Sequence, residues 1–181
     1  MKKITWSGYI VLAVLLILFI SSSMPYQAQS IKPGLSRYIP LGFVDHLRFI
    51  SFSYHGEVSV DALGRSGFIE FFIRKATHVS TFLALGIGLI DLTRRRLTLG
   101  LAVLFAYSLA IMVAVFDEFH QILTGDRTGL IQDVLLDGTG ALIGIGCFLL
   151  VYRKKVRRQA GSLSLQRRKE QASLLTKETA L

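Results

Sequence analysis

Lys75 and His78 stand three residues apart, as do Glu118 and Gln121, while Asp117 and Gln121, and Asp133 and Asp137, stand four apart. Residues at these spacings share one face of a helix, so each set can aim at a common point. A histidine and a carboxyl group held together can exchange protons, which makes His78 and Glu118 the candidate catalytic acid and base. Lys75 and Arg127 carry the charge to hold a phosphate or carboxylate, arginine through two parallel hydrogen bonds. With Arg74 beside Lys75, the candidate ligand-binding set is Arg74, Lys75, His78, Asp117, Glu118, Gln121, Arg127, Asp133 and Asp137. No activated nucleophile accompanies them, and the one cysteine, Cys147, lies away from the set. His78, Asp117, Glu118 and His120 include the ligand types zinc uses, but no H-E-x-x-H run is present. His120, two residues past Glu118, faces away from that acid. Three carboxylates without a second well-placed histidine offer the oxygen ligands that magnesium or calcium takes instead. The expectation is no metal and no cofactor.

These charges interrupt a chain that is otherwise apolar. Of 181 residues, 51% are hydrophobic and 18% charged, with a mean hydropathy of +0.50. A soluble domain carries about 25% charge, and a disordered chain is poorer in apolar residues, so both classes are excluded. About 20 apolar residues cross a hydrocarbon layer about 30 Å thick, and four stretches qualify, near 6–23, 68–92, 97–121 and 130–152. The expected fold is all-α: a polytopic membrane protein of four transmembrane helices with a long extracytoplasmic loop between helices 1 and 2. A cleaved signal peptide, ending near Ser21 to Ala28, is the competing reading of the first stretch. In the long connection, Ile39 to Tyr54 reads as an interfacial or re-entrant helix, or as a plain loop.

Lysine and arginine are retained on the cytoplasmic side of membrane proteins. Fourteen of them fall on the side holding both ends of the chain and the Arg94-Arg95-Arg96 turn, against seven on the other. Both termini are therefore expected in the cytoplasm. The domain reading is a transmembrane unit over 1–152 and a basic, mobile tail over 153–181. The run Arg153-Lys154-Lys155-Val156-Arg157-Arg158 suits anionic inner-leaflet lipid rather than nucleic acid.

With this topology, helices two and four deliver their polar residues early and helix three delivers its own late, all at one outer depth below Arg127. A charge facing lipid at mid-depth costs at least about 2.5–3.5 kcal/mol, so these faces must meet one another or water. Gly140 and Gly144, four apart, let a neighbouring backbone come close.

The ordered set Arg74-Lys75-x-x-His78, Asp117-Glu118-x-x-Gln121, Arg127, Asp133 and Asp137-x-x-Gly140 resembles the VanZ-like membrane proteins over about Trp6 to Tyr152. Ser21-Ser22-Ser23 followed by Pro25 is similar to the end of that family's first helix. The resemblance implies a bacterial cell-envelope protein of the plasma membrane, and the founding member is linked to resistance against the lipoglycopeptide teicoplanin. Phe82 and Thr81 stand where the family commonly has a tyrosine and an acid, and Asp137 where it commonly has an asparagine. Two readings follow from residues and resemblance together. In the first, the cluster binds an extracytoplasmic anionic cell-wall precursor or lipid headgroup and influences teicoplanin susceptibility. In the second, it is an intramembrane hydrolase or transferase on a lipid-linked substrate, with Glu118 and His78 as acid and base. Against both stands a scaffold reading, in which the charges only clamp helices two, three and four together.

Overall fold

The computed structural model describes residues 5–124 and 129–178. Helix α1 (Trp6–Ser22) is 17 residues of nearly unbroken apolar sequence. A 3₁₀ turn (Tyr26–Gln29), helix α2 (Lys32–Tyr38) and a second 3₁₀ turn (Leu41–Leu47) follow. Strands β1 (Ser51–Ser53) and β2 (Glu57–Ser59) form an antiparallel hairpin with Phe52 opposite Val58. Helices α3 (Val60–Thr93), α4 (Leu99–Leu123) and α5 (Ile131–Glu178) complete the chain. Among the described residues, three helices, α3, α4 and the part of α5 up to Ser164, are long and apolar enough to cross a membrane. The helical architecture agrees with the sequence reading; the hairpin is an addition to it.

Two boundaries differ from expectation. The second long helix begins at Val60, eight residues before Phe68, because Ser59 caps it, its hydroxyl accepting from the Ala62 amide at 3.1 Å. That first turn is set off from the rest by Gly64, whose φ of 69° and ψ of 165° belong to a region essentially restricted to glycine. The last helix runs on past Tyr152 to Glu178. Straight-chain lysine, arginine, glutamine and leucine dominate that stretch, and all are good helix formers.

The chain divides into two units, Met1–Ile145 and Gly146–Leu181. In the second, Phe148 and Tyr152 stack with centroids 6.1 Å apart, and the basic run beyond is exposed. In the first, α3 is the central element. Its backbone meets that of α5 through glycines: a Cβ on Gly140 would lie 2.5 Å from the Val79 carbonyl oxygen, and one on Gly144 2.1 Å from that of Leu83. From the other side, a Cβ on Gly86 would lie 2.3 Å from the Ala141 carbonyl oxygen. Only glycine permits this approach. Because 79 meets 140 and 83 meets 144, α3 and α5 run in the same direction. Helix α1 runs against α3, its Ser7 carbonyl and Val11 side chain closing on Gly88. Helix α4 turns Ala102, Ala106, Ala110 and Ala114 inward, all fully buried and each four residues from the next. Outward-facing Leu104, Met112, Phe116, Leu123, Leu135 and Leu142 are more than half exposed, as a hydrocarbon solvent allows and water does not.

The connection between α1 and α3 is neither a single helix nor a plain loop. Leu35, Leu41, Val44, Val58, Val60 and Phe68 form a small core of their own, with Phe71 and Tyr54 packed against it. Arg65 bonds Asp45 through Nε at 2.9 Å, and this guanidinium holds the Asp45 carboxyl below its ordinary value. Glu70, fully buried, accepts from Ser30 Oγ and from the Ile31 and Lys32 amides at 3.0–3.1 Å, tying the start of α2 to α3.

Gly144→Leu forces the α3 and α5 backbones apart. It should destabilise the protein by at least about 1–3 kcal/mol, read as a lower melting temperature in detergent. Gly100→Leu, where a Cβ meets nothing within 4 Å, should leave the melt close to that of the parent.

Candidate functional site

The α3–α5 contact carries the polar residues into register one turn above Val79 and Gly140. His78 Nδ1 lies 3.4 Å from Asp137 Oδ2, and Lys75 Nζ lies 2.5 Å from Asp133 Oδ1. Tyr54, at the tip of the β hairpin, donates its hydroxyl to the same Asp133 oxygen and sets its ring 4.5 Å from the Lys75 ammonium. Burial, and then the Asp133 carboxylate, raise the Tyr54 phenol above its ordinary value, so it stays a donor at neutral pH.

Helix α4 brings the remaining carboxylates. Asp117, Glu118 and Gln121 continue the inward face begun by the alanines, three, four and seven residues beyond Ala114. Asp117 accepts from Ser22 Oγ at 2.5 Å and from Gln121 Nε2 at 2.7 Å, which joins the end of α1 to α4. Glu118 Oε2 accepts from the Leu130 amide at 2.8 Å, at the start of α5. Ligand-capable atoms of His78, Asp117 and Asp137 all lie within 4.8 Å of one another.

Most of the expected set is therefore brought together, drawn from three long helices. Arg74 is not part of it. Its Nε bonds Glu70 at 2.9 Å, Nη1 reaches Gln29 at 3.4 Å, and its guanidinium carbon lies 4.3 Å from the Tyr26 ring centroid. It anchors the connection between α1 and α3. Arg127 lies outside the described residues. His78 and Glu118, the expected acid–base pair, share no hydrogen bond, since one turns to Asp137 and the other to a backbone amide. His120 faces away from Glu118 as expected, stacking on Phe19 with centroids 5.1 Å apart. His46 and His55 stay on that connection.

Three participants were not in the candidate set. Ser22 carried a sequence signal, a hydroxyl closing an apolar helix, whereas Tyr54 and Glu70 reach their partners only through tertiary packing.

A groove of about 800 Å³ runs between α1 and α4. Leu12, Leu15, Leu16 and Phe19 line one side and Ile111, Met112, Phe116 and Phe119 the other, with Asp117 and His120 among the few polar residues in its wall.

Apolar helices with outward-facing leucine and phenylalanine, packed around a buried polar cluster, define an integral membrane protein. The chain belongs to the VanZ/LLP1 family, whose model matches residues 7–152. No curated protein and no solved structure matches it.

The Lys75–Asp133 pair is largely buried, so leaving either partner alone is costly. Lys75→Met and Asp133→Asn should each destabilise by about 1–3 kcal/mol. The double variant should lose clearly less than their sum, a coupling that chemical denaturation in detergent measures.

Proposed function

We propose that this VanZ-like protein holds a phosphate-headed membrane lipid, its tail in the α1–α4 groove and its head at the polar cluster. The observation that carries the reading is the groove itself, apolar along its length and meeting the cluster at Asp117. Ile111 to His120 is nine helical steps, about 14 Å of helix, which matches half of a hydrocarbon layer about 30 Å thick. The groove thus has the depth of one leaflet. Lipid-linked cell-wall precursors share this chemistry, a phosphate on a long hydrocarbon tail, and so fall within the class. On this reading the protein acts in the bacterial plasma membrane and alters teicoplanin susceptibility by engaging such molecules. The binding reading is favoured over a hydrolase because His78 and Glu118 are committed to separate partners.

Met112→Trp and Leu15→Trp fill the groove without touching the cluster. Lipid retained by the purified protein, measured by mass spectrometry with phosphatidylglycerol and polyprenyl phosphate as separate arms, should fall at least about fivefold in both variants. A strain carrying either variant should match the deletion strain in teicoplanin susceptibility. Unchanged retention in both arms would sink the lipid reading.

We further propose that α1 is the fourth span. Its 17 residues reach the lower limit of crossing length, and the basic run at 153–158 then meets anionic lipid on the cytoplasmic side. In a Cys147→Ser background, His55→Cys should react with an impermeant maleimide on intact cells. Ser164→Cys should react only after permeabilisation. The opposite pattern would invert the topology.

A further inference from the structure

Among the described residues, the charges of the cluster do not balance. Arg74 is taken by Glu70, and Lys75 by Asp133. Asp117, Glu118 and Asp137 remain, three carboxyl groups at 4%, 5% and 0% exposure, and the described group that faces them and can turn positive is His78, 3.4 Å from Asp137. Buried carboxylates without compensation are strongly disfavoured, so something positive must join them or protons must neutralise them. Protonation does not complete the hydrogen bonding. Asp137 Oδ1 and Glu118 Oε1 are both buried with no hydrogen-bond partner among the described residues. A carboxylic acid in either place would still need an acceptor for its proton and a donor for its carbonyl oxygen.

We propose that His78, Asp117 and Asp137 form a binding site for one divalent metal cation. The separations fit. Three atoms no more than 4.8 Å apart always share a point within about 2.8 Å of each (4.8/√3). Rotations that shorten each distance by several tenths of an ångström reach the contact lengths of about 2.0–2.2 Å typical of zinc with nitrogen and oxygen ligands. One imidazole with two carboxylates is a mixed donor set that suits zinc or manganese better than calcium, which takes oxygen ligands in larger number. The surroundings also resemble an outer ligand shell. Ser22 and Gln121 each donate to Asp117, fixing the orientation of its two oxygens. Sequence reading assigned no metal because the ligands come from three different helices with no local spacing motif. Only the α3–α5 and α3–α4 packing assembles them. The cation would also give the cluster the positive charge a lipid phosphate requires, a consequence that rests on the lipid reading above.

The test uses the full chain in detergent, stripped with a chelator and dialysed against Zn²⁺, with metal content measured by elemental analysis. Mn²⁺ is followed in parallel by electron paramagnetic resonance. One equivalent should bind saturably. Asp137→Asn and His78→Ala should abolish that binding, and Ser22→Ala should weaken it about tenfold. His46→Ala and His55→Ala, on the connection between α1 and α3, should bind as the parent does. Each variant is first checked for a monodisperse elution profile, and Ser22→Ala, which alters no ligand, carries the test if a ligand variant fails to fold. Absence of saturable binding of either ion, or one equivalent that persists unchanged in Asp137→Asn and Ser22→Ala, overturns the proposal. A separate arm measures lipid retention with and without chelator. Metal binding without lipid retention sustains the cation site and removes the lipid reading. Lipid retention that ignores the chelator overturns the role of the cation in holding the head.

Discussion

The approach of two helix backbones at Gly86, Gly140 and Gly144 is the contact on which the rest depends. Side chains larger than hydrogen at these positions would hold α3 and α5 apart by ångströms. His78 would then lose Asp137, and Lys75 would lose Asp133. In hydrocarbon such a loss has no remedy, because no water is present to solvate a separated charge. Close packing by small residues and pairing of buried charges are therefore one requirement met twice, lower in the interface by glycine and higher by ion pairs.

Charge separates into two groups along α3. Glu70 and Arg74 serve the connection between α1 and α3, where the carboxylate gathers a hydroxyl and two amides from the start of α2. Lys75 and His78, one and four residues on from Arg74, turn to α5 instead. Neighbours in sequence thus belong to different constellations, since adjacent helical residues point about 100° apart. The acidic excess that remains among the described residues around Asp117, Glu118 and Asp137 is the feature on which the proposed cation site rests. A clamp requires matched partners, and two carboxylate oxygens here have none.

The connection between α1 and α3 shows how a region can look structureless in sequence and still be ordered. Ile39 to Tyr54 has apolar residues without the spacing of an α-helix or a long strand, because its core is assembled from short pieces: a 3₁₀ turn, a hairpin and one turn of α3. Each piece contributes one or two side chains, such as Val44, Val58 and Val60, and Phe68 supplies the floor. Tyr54 then reaches the Asp133–Lys75 pair from above, which couples this cap to the polar cluster below.

Composition and periodicity alone determined that the chain is helical and belongs in a membrane. They also located the long apolar helices to within a few residues, except at Val60 and beyond Tyr152. The spacings of Lys75 with His78, Asp117 and Glu118 with Gln121, and Asp133 with Asp137 were legible as shared faces because helical geometry repeats locally, whereas the buried alanines that continue the α4 face were seen only in the structure. What the sequence could not decide was which charge meets which. Arg74 and Lys75 are adjacent and alike in charge, and only the packing of α3 against the α1–α3 connection and α5 sends them to different acids. The sequence placed His78, Asp117 and Asp137 in one candidate set at one depth, but only the tertiary packing decided that these three bring their ligand atoms within 4.8 Å of one another.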